Sequence, residues 1–435
     1  MTVKKVATES CSATAAPMEL PGNMQASKSI NKSVAIIGGG QLGMLLADAA
    51  IGLGYQPHML AQSRKDPAVL KSAVQAEIAP LTDHAAIERL LAKVGMLTFE
   101  SELTPAATIA AAESFVQRNH LNVGLQPSAK VMTVCSDKLK QKHLLQQLGI
   151  PTASFDALSS PADSVEEWLT RLKTKFPAGC VIKWARGGYD GIGTLVYRGS
   201  ESELSRAIPF VKRALASGSD VYAETLVPFA FELAVVSSRS LSGNVAQYPA
   251  VITLQKSGVC AEVKGPGITF GLAAETERTA FNYARAIGDS LGIAGTYAVE
   301  FFVDQDMRLS VNEIAPRVHN SGHFSLDAAE TSQFENHWRA ILDLPLGSTR
   351  SDDFFAMINI IGPIGYDGQV SQEFAMEADG IRTYWYGKSA SRPGRKLGHV
   401  NITATSSAQL SERMNTVKAA IASWQSSLSG EVSRV

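Results

Sequence analysis

Apolar residues fall into a sharp rhythm only from Ser33 onward. VAII reads as a buried strand, GGGQLG as a turn, and QLGMLLADAAIGLG as a helix with apolar residues at helical spacing, which together predict a β-turn-α unit. A short strand from His58 (HML), a polar turn and an apolar helix around Ile87 to Leu91 continue the alternation of a parallel sheet covered by helices. MLTFE, from Met96, predicts a further strand ending in a carboxylate. Open parallel sheets bind ligands beyond the carboxyl ends of their strands, so Glu100 and Glu102 are placed where a substrate could sit. A helix over Asp137 to Leu148 stops at Gly149 and Pro151.

The rhythm then changes. CVIKWARGGYDGIG predicts a strand running into a glycine-rich loop, and VYAETLVPFAFELAVVSS and YAVEFFVDQDMRLSVNEIAP predict antiparallel strand pairs, so a domain boundary is expected near residue 130. From about Gly347, short strands (MINIIG, TYWYG, HVNITA) and a helix near Ala408 to Trp424 suggest a small closing domain. Residues 1 to 32 have no sustained period and read as a flexible extension; they are poor in acids but contain no Arg, which weakens a transit-peptide reading.

Composition narrows the classes. Forty Lys+Arg against forty-one Asp+Glu give a formal charge of -1, which excludes a global basic surface for nucleic acid or anionic lipid. At 435 residues and 45% hydrophobic, the chain predicts about two to four packed cores. Cys11, Cys135, Cys180 and Cys260 lie far apart with no C-x-x-C pair, and no apolar run of about 18 residues exists. A soluble protein of a reducing cytoplasm is expected.

Four groups of residues could carry chemistry. Gly38-x-Gly40-x-x-Gly43 sits between strand and helix like a dinucleotide fingerprint, but the acid expected at the end of the second strand is replaced by Ala61-Gln62-Ser63-Arg64. A nicotinamide or flavin, another phosphate ligand, or a tight structural turn all remain open. In the hairpin, a turn over Asp304 to Met307 sets Glu300 opposite Val311 and Glu313 two residues further along, so both carboxylates share a face. There they would suit Mg2+, although a turn of different length would flip the parity, and an ordinary solvated face is the alternative. The glycine-rich loop of residues 186 to 193 follows Lys183 and could close over a triphosphate or be a simple hairpin tip. Arg317, His319, Asn320, Ser321 and His323 follow Glu313, and Lys388, Arg392, Arg395, Lys396 and His399 form a local cationic cluster: an anion site or a solvated basic surface.

Taken together, IIGGGQLG, SDKLKQKHLLQQLGIPTASF, RGGYDGIG, VEFFVDQDMRLSVNEIAPRVHNSGH and YGKSASRPGRKLGHVN resemble the ATP-grasp ligases, and within them the 5-(carboxyamino)imidazole ribonucleotide synthase family of purine biosynthesis, from about Ser33 to Ala404. The resemblance implies an α/β chain: a Rossmann-like pre-ATP-grasp domain (33 to 130), an ATP-grasp domain of two subdomains (131 to 346, lid roughly 150 to 225) and a small α+β C-terminal domain (347 to 435). It implies ATP, with Lys138 and Lys183 on its phosphates, Glu224 and Val227 at adenine and Glu232 at the ribose. Mg2+, or Mn2+, would lie on Glu300 and Glu313. Aminoimidazole ribonucleotide would be held by Gly40, Gln41, Leu42, Glu100, Lys388 and Arg395, and bicarbonate would be the acid. Tyr189, Asp190, Arg317, Asn320 and His323 would surround the reacting centre, and the chain would be a homodimer. The chain departs from the family pattern at Ile252, Thr253, Leu254 and Gln255, where Glu-Asn-x-His is usual, at Ile192, which replaces a basic residue, and at Trp184. These departures leave open a paralogous carboxylate-amine ligase using a different acid. A non-catalytic nucleotide-binding protein and an oxidoreductase are the remaining readings.

Overall fold

In the computed structural model the strand predicted at VAII is Ser33–Ile37, and both of its faces are covered. Val34 and Ile36 pack with the helix Gln41–Gly52 that follows the glycine turn, while Ala35 and Ile37 pack with helices His84–Leu91 and Ala106–Arg118. An uninterrupted apolar run, rather than an alternating one, is what a strand buried on both faces requires. The structure describes residues 32 to 431 apart from 71–73, 159–163, 189–192, 257 and 371. The extension expected over residues 1 to 32 thus lies almost wholly outside the described residues.

Five parallel strands form the first sheet, in the order Gln75–Ile78, Gln56–Ala61, Ser33–Ile37, Met96–Phe99 and Gly124–Gln126. Two of these, Gln75–Ile78 and Gly124–Gln126, are short and half-exposed, and hydropathy alone gave no sign of them. Successive strands run outward from Ser33–Ile37 in both directions. The ends of Ser33–Ile37 and Met96–Phe99 therefore border the crevice where a doubly wound sheet binds ligands.

The second sheet is antiparallel and larger. Its main path runs Leu309–Ala315, Gly295–Val303, Phe231–Arg239, Val251–Lys256, Val259–Gly265, Phe354–Ile361, Lys396–Ala404 and Ile381–Trp385. The C-terminal strands extend this same sheet, through pairing of Val259–Gly265 with Phe354–Ile361, and the helix Ser407–Glu431 packs on them. A third sheet, ordered Phe155–Ala157, Val221–Thr225, Cys180–Trp184 and Thr194–Tyr197, carries helices Val165–Lys175 and Glu201–Ala216 over its own core.

One helix, Gln333–Ile341, fastens the first sheet to the second. The Trp338 indole donates to the Leu46 carbonyl at 2.8 Å, and His337 accepts from the Thr296 amide at 3.1 Å while its other nitrogen meets Thr98 Oγ1 at 2.8 Å. Burial lowers the His337 pKa to about 3, so it is a neutral strut with both nitrogens used. No described helix is long and apolar enough to cross a membrane.

Candidate active site

The hairpin carrying Glu300 and Glu313 differs from the sequence expectation in a way that preserves its consequence. The turn is one residue longer: the Asp304 amide donates to the Arg308 carbonyl at 3.1 Å, and Met307 adopts φ 61°. Phe301 consequently faces Val311, a shift that by itself would send Glu313 to the other side of the sheet. An irregularity at Asn312 corrects it, and Glu300 pairs directly with Glu313. Glu232, diagonal to Glu300 across the neighbouring strand, lies on the same face. Burial first, and the Glu313 charge second, push the Glu300 pKa up to about 7; burial and then Glu300 push Glu232 up to about 7. Lys138, at the start of helix Lys138–Gln147, pairs with Glu313, and His319 Nε2 stands 3.5 Å from Glu300.

A second charge cluster joins that helix to the third sheet. Glu224, 2% exposed, is paired with Lys183 from the neighbouring strand and with Lys142 Nζ at 2.8 Å. Lys183 also reaches Asn312 Oδ1 at 3.4 Å, so Asn312 links the two sheets. Val227 sits in the short connection between Val221–Thr225 and Phe231–Arg239, where the chain passes from one sheet to the other. Two lysines, hard oxygen donors and a passage between two sheets thus meet in one place.

The glycine turn explains itself differently from a dinucleotide fingerprint. Glu100, at the end of the adjacent strand, accepts from the Gly40 amide at 2.9 Å and the Gly43 amide at 2.8 Å, occupying the helix N-terminus. A Cβ on Gly38 would lie 2.2 Å from the Glu100 side chain, and Gly38 adopts φ 115°. The glycines make room for the chain's own carboxylate. Burial raises the Glu100 pKa, an effect that these two amides only partly offset. Lys388 Nζ donates to Gln41 Oε1 at 2.6 Å, bringing one of the C-terminal cations onto this turn.

This arrangement has close counterparts. Residues 31–136 match the ribonucleotide synthetase preATP-grasp domain, 143–334 the ATP-grasp domain, and 356–413 the phosphoribosylaminoimidazole carboxylase C-terminal domain. The N5-carboxyaminoimidazole ribonucleotide synthase of Synechococcus elongatus is 38% identical over 395 residues, 89% of this chain and 94% of that one. The chain belongs to the N5-carboxyaminoimidazole ribonucleotide synthase family. Among solved structures, the Thermus thermophilus synthetase of that name aligns with a TM-score of 0.74 at 32% identity, over 87% of this chain and 96% of that one. The Aspergillus clavatus synthase, solved with ADP and 5-aminoimidazole ribonucleotide, aligns with a TM-score of 0.76 at 25% identity, over 89% and 98%.

Within this synthase framework the expected site residues fall into three groups: some converge, some lie apart, and some lie outside the described residues. Lys138, Lys183, Glu224, Glu232, Glu300 and Glu313 converge as described, as do Gly40, Gln41, Glu100 and Lys388. Leu42 is half-buried against the first core. Arg395 donates to the Ala390 carbonyl at 2.7 Å within its own hairpin. Tyr189, Asp190 and Ile192 lie outside the described residues. Arg317 forms a two-pronged ion pair with Glu102. Asn320 and His323, expected at the reacting centre, are buried: Asn320 exchanges amide hydrogen bonds with Asn359 at 3.1 and 2.7 Å, and His323 is packed between Phe334 and His399. His399 is likewise no part of a cationic patch. It is fully buried, stacked on Tyr384 and bonded to Tyr386 Oη at 2.8 Å, and burial takes its pKa to about 3.

Sequence reasoning passed over Asn312 and Lys142. The first owes its position to the irregularity beside it. The second carried a faint signal, since it follows Lys138 by one helical turn and so lies on the same helix face. Of the departures, Thr253 pairs with Glu232 and Gln255 adjoins a bulge opposite Cys260, whereas Trp184 turns the other way from Lys183, into the third sheet's core, with its ring centroid 5.4 Å from that of Phe210.

Proposed function

We propose that this chain, an ATP-grasp carbon-nitrogen ligase, carboxylates the amine of 5-aminoimidazole ribonucleotide with bicarbonate, consuming ATP and releasing ADP and phosphate. The observation that carries this reading is the convergence of Lys138, Lys183, Glu232, Glu300 and Glu313 in one cleft, in a chain that matches such synthases over most of its length. Bicarbonate oxygen attacks the γ-phosphorus and the bond to the ADP oxygen breaks, giving carboxyphosphate. The amine nitrogen then attacks the carboxyl carbon, phosphate leaves, and the nitrogen loses its proton. Phosphoryl transfer demands positioning and charge neutralisation more than a strong base, so Lys138 and Lys183 align the triphosphate.

The donor set fits a divalent cation: Glu300 and Glu313 are directly opposed, rich in hard oxygens, and Glu300 is short of positive charge. Among the described residues no group of three or more His, Cys, Asp or Glu is arranged as a metal site, so Glu300 and Glu313 would share Mg2+ with the triphosphate. Bound there, Mg2+ would neutralise charge on the transferring phosphoryl group. Gln41, Glu100 and Lys388 hold the ribonucleotide, Lys388 together with Arg395 on its phosphate, and the family likeness assigns Tyr189 and Asp190 to the reacting centre. Asn320 and His323 support the site indirectly, because burial keeps both from the reactants. The same reading includes divisions near residues 130 and 347, a homodimer and a cytoplasmic location.

ADP release from purified protein given ATP, Mg2+, the ribonucleotide and bicarbonate tests the reaction. Dependence on both the ribonucleotide and bicarbonate is expected. Release that needs the ribonucleotide and some other carboxylate would select the paralogous ligase, which Ile192, Ile252, Thr253 and Gln255 favour. Lys388→Ala should raise the ribonucleotide KM by about 10- to 100-fold with little change for ATP, the mark of lost ground-state binding. An unchanged ribonucleotide KM would remove Lys388 from the phosphate.

A further inference from the structure

Lys142 has no role assigned so far beyond its pairing with Glu224, yet it is among the most deeply buried charges in the molecule, 1% exposed. Its ammonium group lies 2.8 Å from Glu224 Oε2 and donates to Thr152 Oγ1 at 2.7 Å; that hydroxyl donates in turn to the Val311 carbonyl at 2.7 Å. Lys142 is thereby pinned to the second sheet while it grips a carboxylate of the third. Glu224 is paired with two lysines, and the two are not equivalent. Lys183 retains 14% exposure of its side chain and already leans towards Asn312, whereas Lys142 is sealed.

We propose that Lys142 is a positioning residue that takes over the charge of Glu224 when Lys183 turns to the nucleotide. The proposal rests on the assignment of Lys183 to the phosphates. A carboxylate 2% exposed cannot lose its only cation without a large desolvation cost. With Lys142 in place Glu224 stays compensated throughout, and Lys183 is free to leave. Without Lys142, each nucleotide that draws on Lys183 strands Glu224 beside it. The ligand-free protein would suffer less, because Lys183 would still be paired with Glu224.

A double-mutant cycle read out by ATP affinity separates this from a purely structural brace. Lys142→Met should fold, and should weaken ATP binding at least about tenfold while leaving the ribonucleotide KM within about twofold. In the Glu224→Gln background, which keeps an acceptor oxygen but no charge, the same Lys142→Met change should cost less than about threefold. Equal costs in the two backgrounds would overturn the handover alone. So would a Lys142→Met chain that fails to fold, since it would make Lys142 a brace of the ligand-free state. ATP affinity left untouched by Lys183→Met would overturn both the handover and the phosphate assignment beneath it.

Discussion

Two carboxylates a short way apart in the cleft have opposite fates. Glu102 faces the Arg317 guanidinium through two parallel contacts, and although burial alone would raise its pKa, the guanidinium brings it down to about 2. Glu300 faces another carboxylate, and burial together with Glu313 holds its pKa up at about 7. The first pair is complete without a ligand. The second is a deficit of positive charge built into a sheet face, compensated in part by Lys138 on Glu313. A folded protein keeps such an acid face where something cationic is to be received. Glu102 and Arg317 form a self-contained framework pair, whereas Glu232, Glu300 and Glu313 leave an acid face short of positive charge.

Exchanging the fates of these residues tests the division. Glu300→Gln should lower ADP formation by about 10²- to 10³-fold, comparable to removing a group that stabilises a transition state. The variant should keep its thermal stability, because a repulsion with Glu313 goes with it; a large drop in Tm would place Glu300 in the framework instead. It also discriminates against a protein that only binds nucleotide, for which hydrolysis would already be absent.

Glu102→Gln should do the reverse, with loss of stability ahead of loss of chemistry. A folded pKa depressed from 4.5 to about 2 corresponds to roughly 3 kcal/mol. Because the folded value lies below the unfolded one, this contribution is fully present above the ordinary carboxylate range and is lost as pH falls towards about 2. Denaturant titrations at a series of pH values should therefore show the gap between wild type and Glu102→Gln closing below about pH 4.5. A gap independent of pH would mean that the guanidinium pairing does not set the stability.

The smallest effect is expected at Glu232, which feels Glu300 but lies one strand away. Glu232→Gln should raise the KM for ATP about tenfold while kcat changes little, as for a group that binds ground state and transition state alike. A fall in kcat with KM unchanged would move Glu232 into the group that acts on the transferring phosphoryl.

Local signals in the chain proved unequal guides. The strand at VAII, the helix that stops at Gly149 and the antiparallel hairpin were all legible, because each rests on a periodicity or stop signal only a few residues long. The cap at the helix's other end, Asp137 accepting from the Leu139 and Lys140 amides, emerged only in the structure. The strands Gln75–Ile78 and Gly124–Gln126 were not legible, since an edge strand half open to water needs no apolar pattern. His323 and His399 read as site residues because histidine suits both catalysis and cation clusters; whether an imidazole is solvated depends on what folds over it.

Legible in the chain itself were most of its elements, the charged residue types of the site, and the family to which they belong. Tertiary structure alone decided the pairings. It put Glu100 in the glycine turn, whose pattern is like a dinucleotide fingerprint, and it set Glu300 against Glu313 through a longer turn and an irregularity at Asn312 that cancel each other's effect on parity. It also buried Lys142 against Glu224. The physical reason is the same in each case. A charge takes its meaning from the nearest opposite or like charge and from the water left around it, and both are set by strands and helices far apart along the chain.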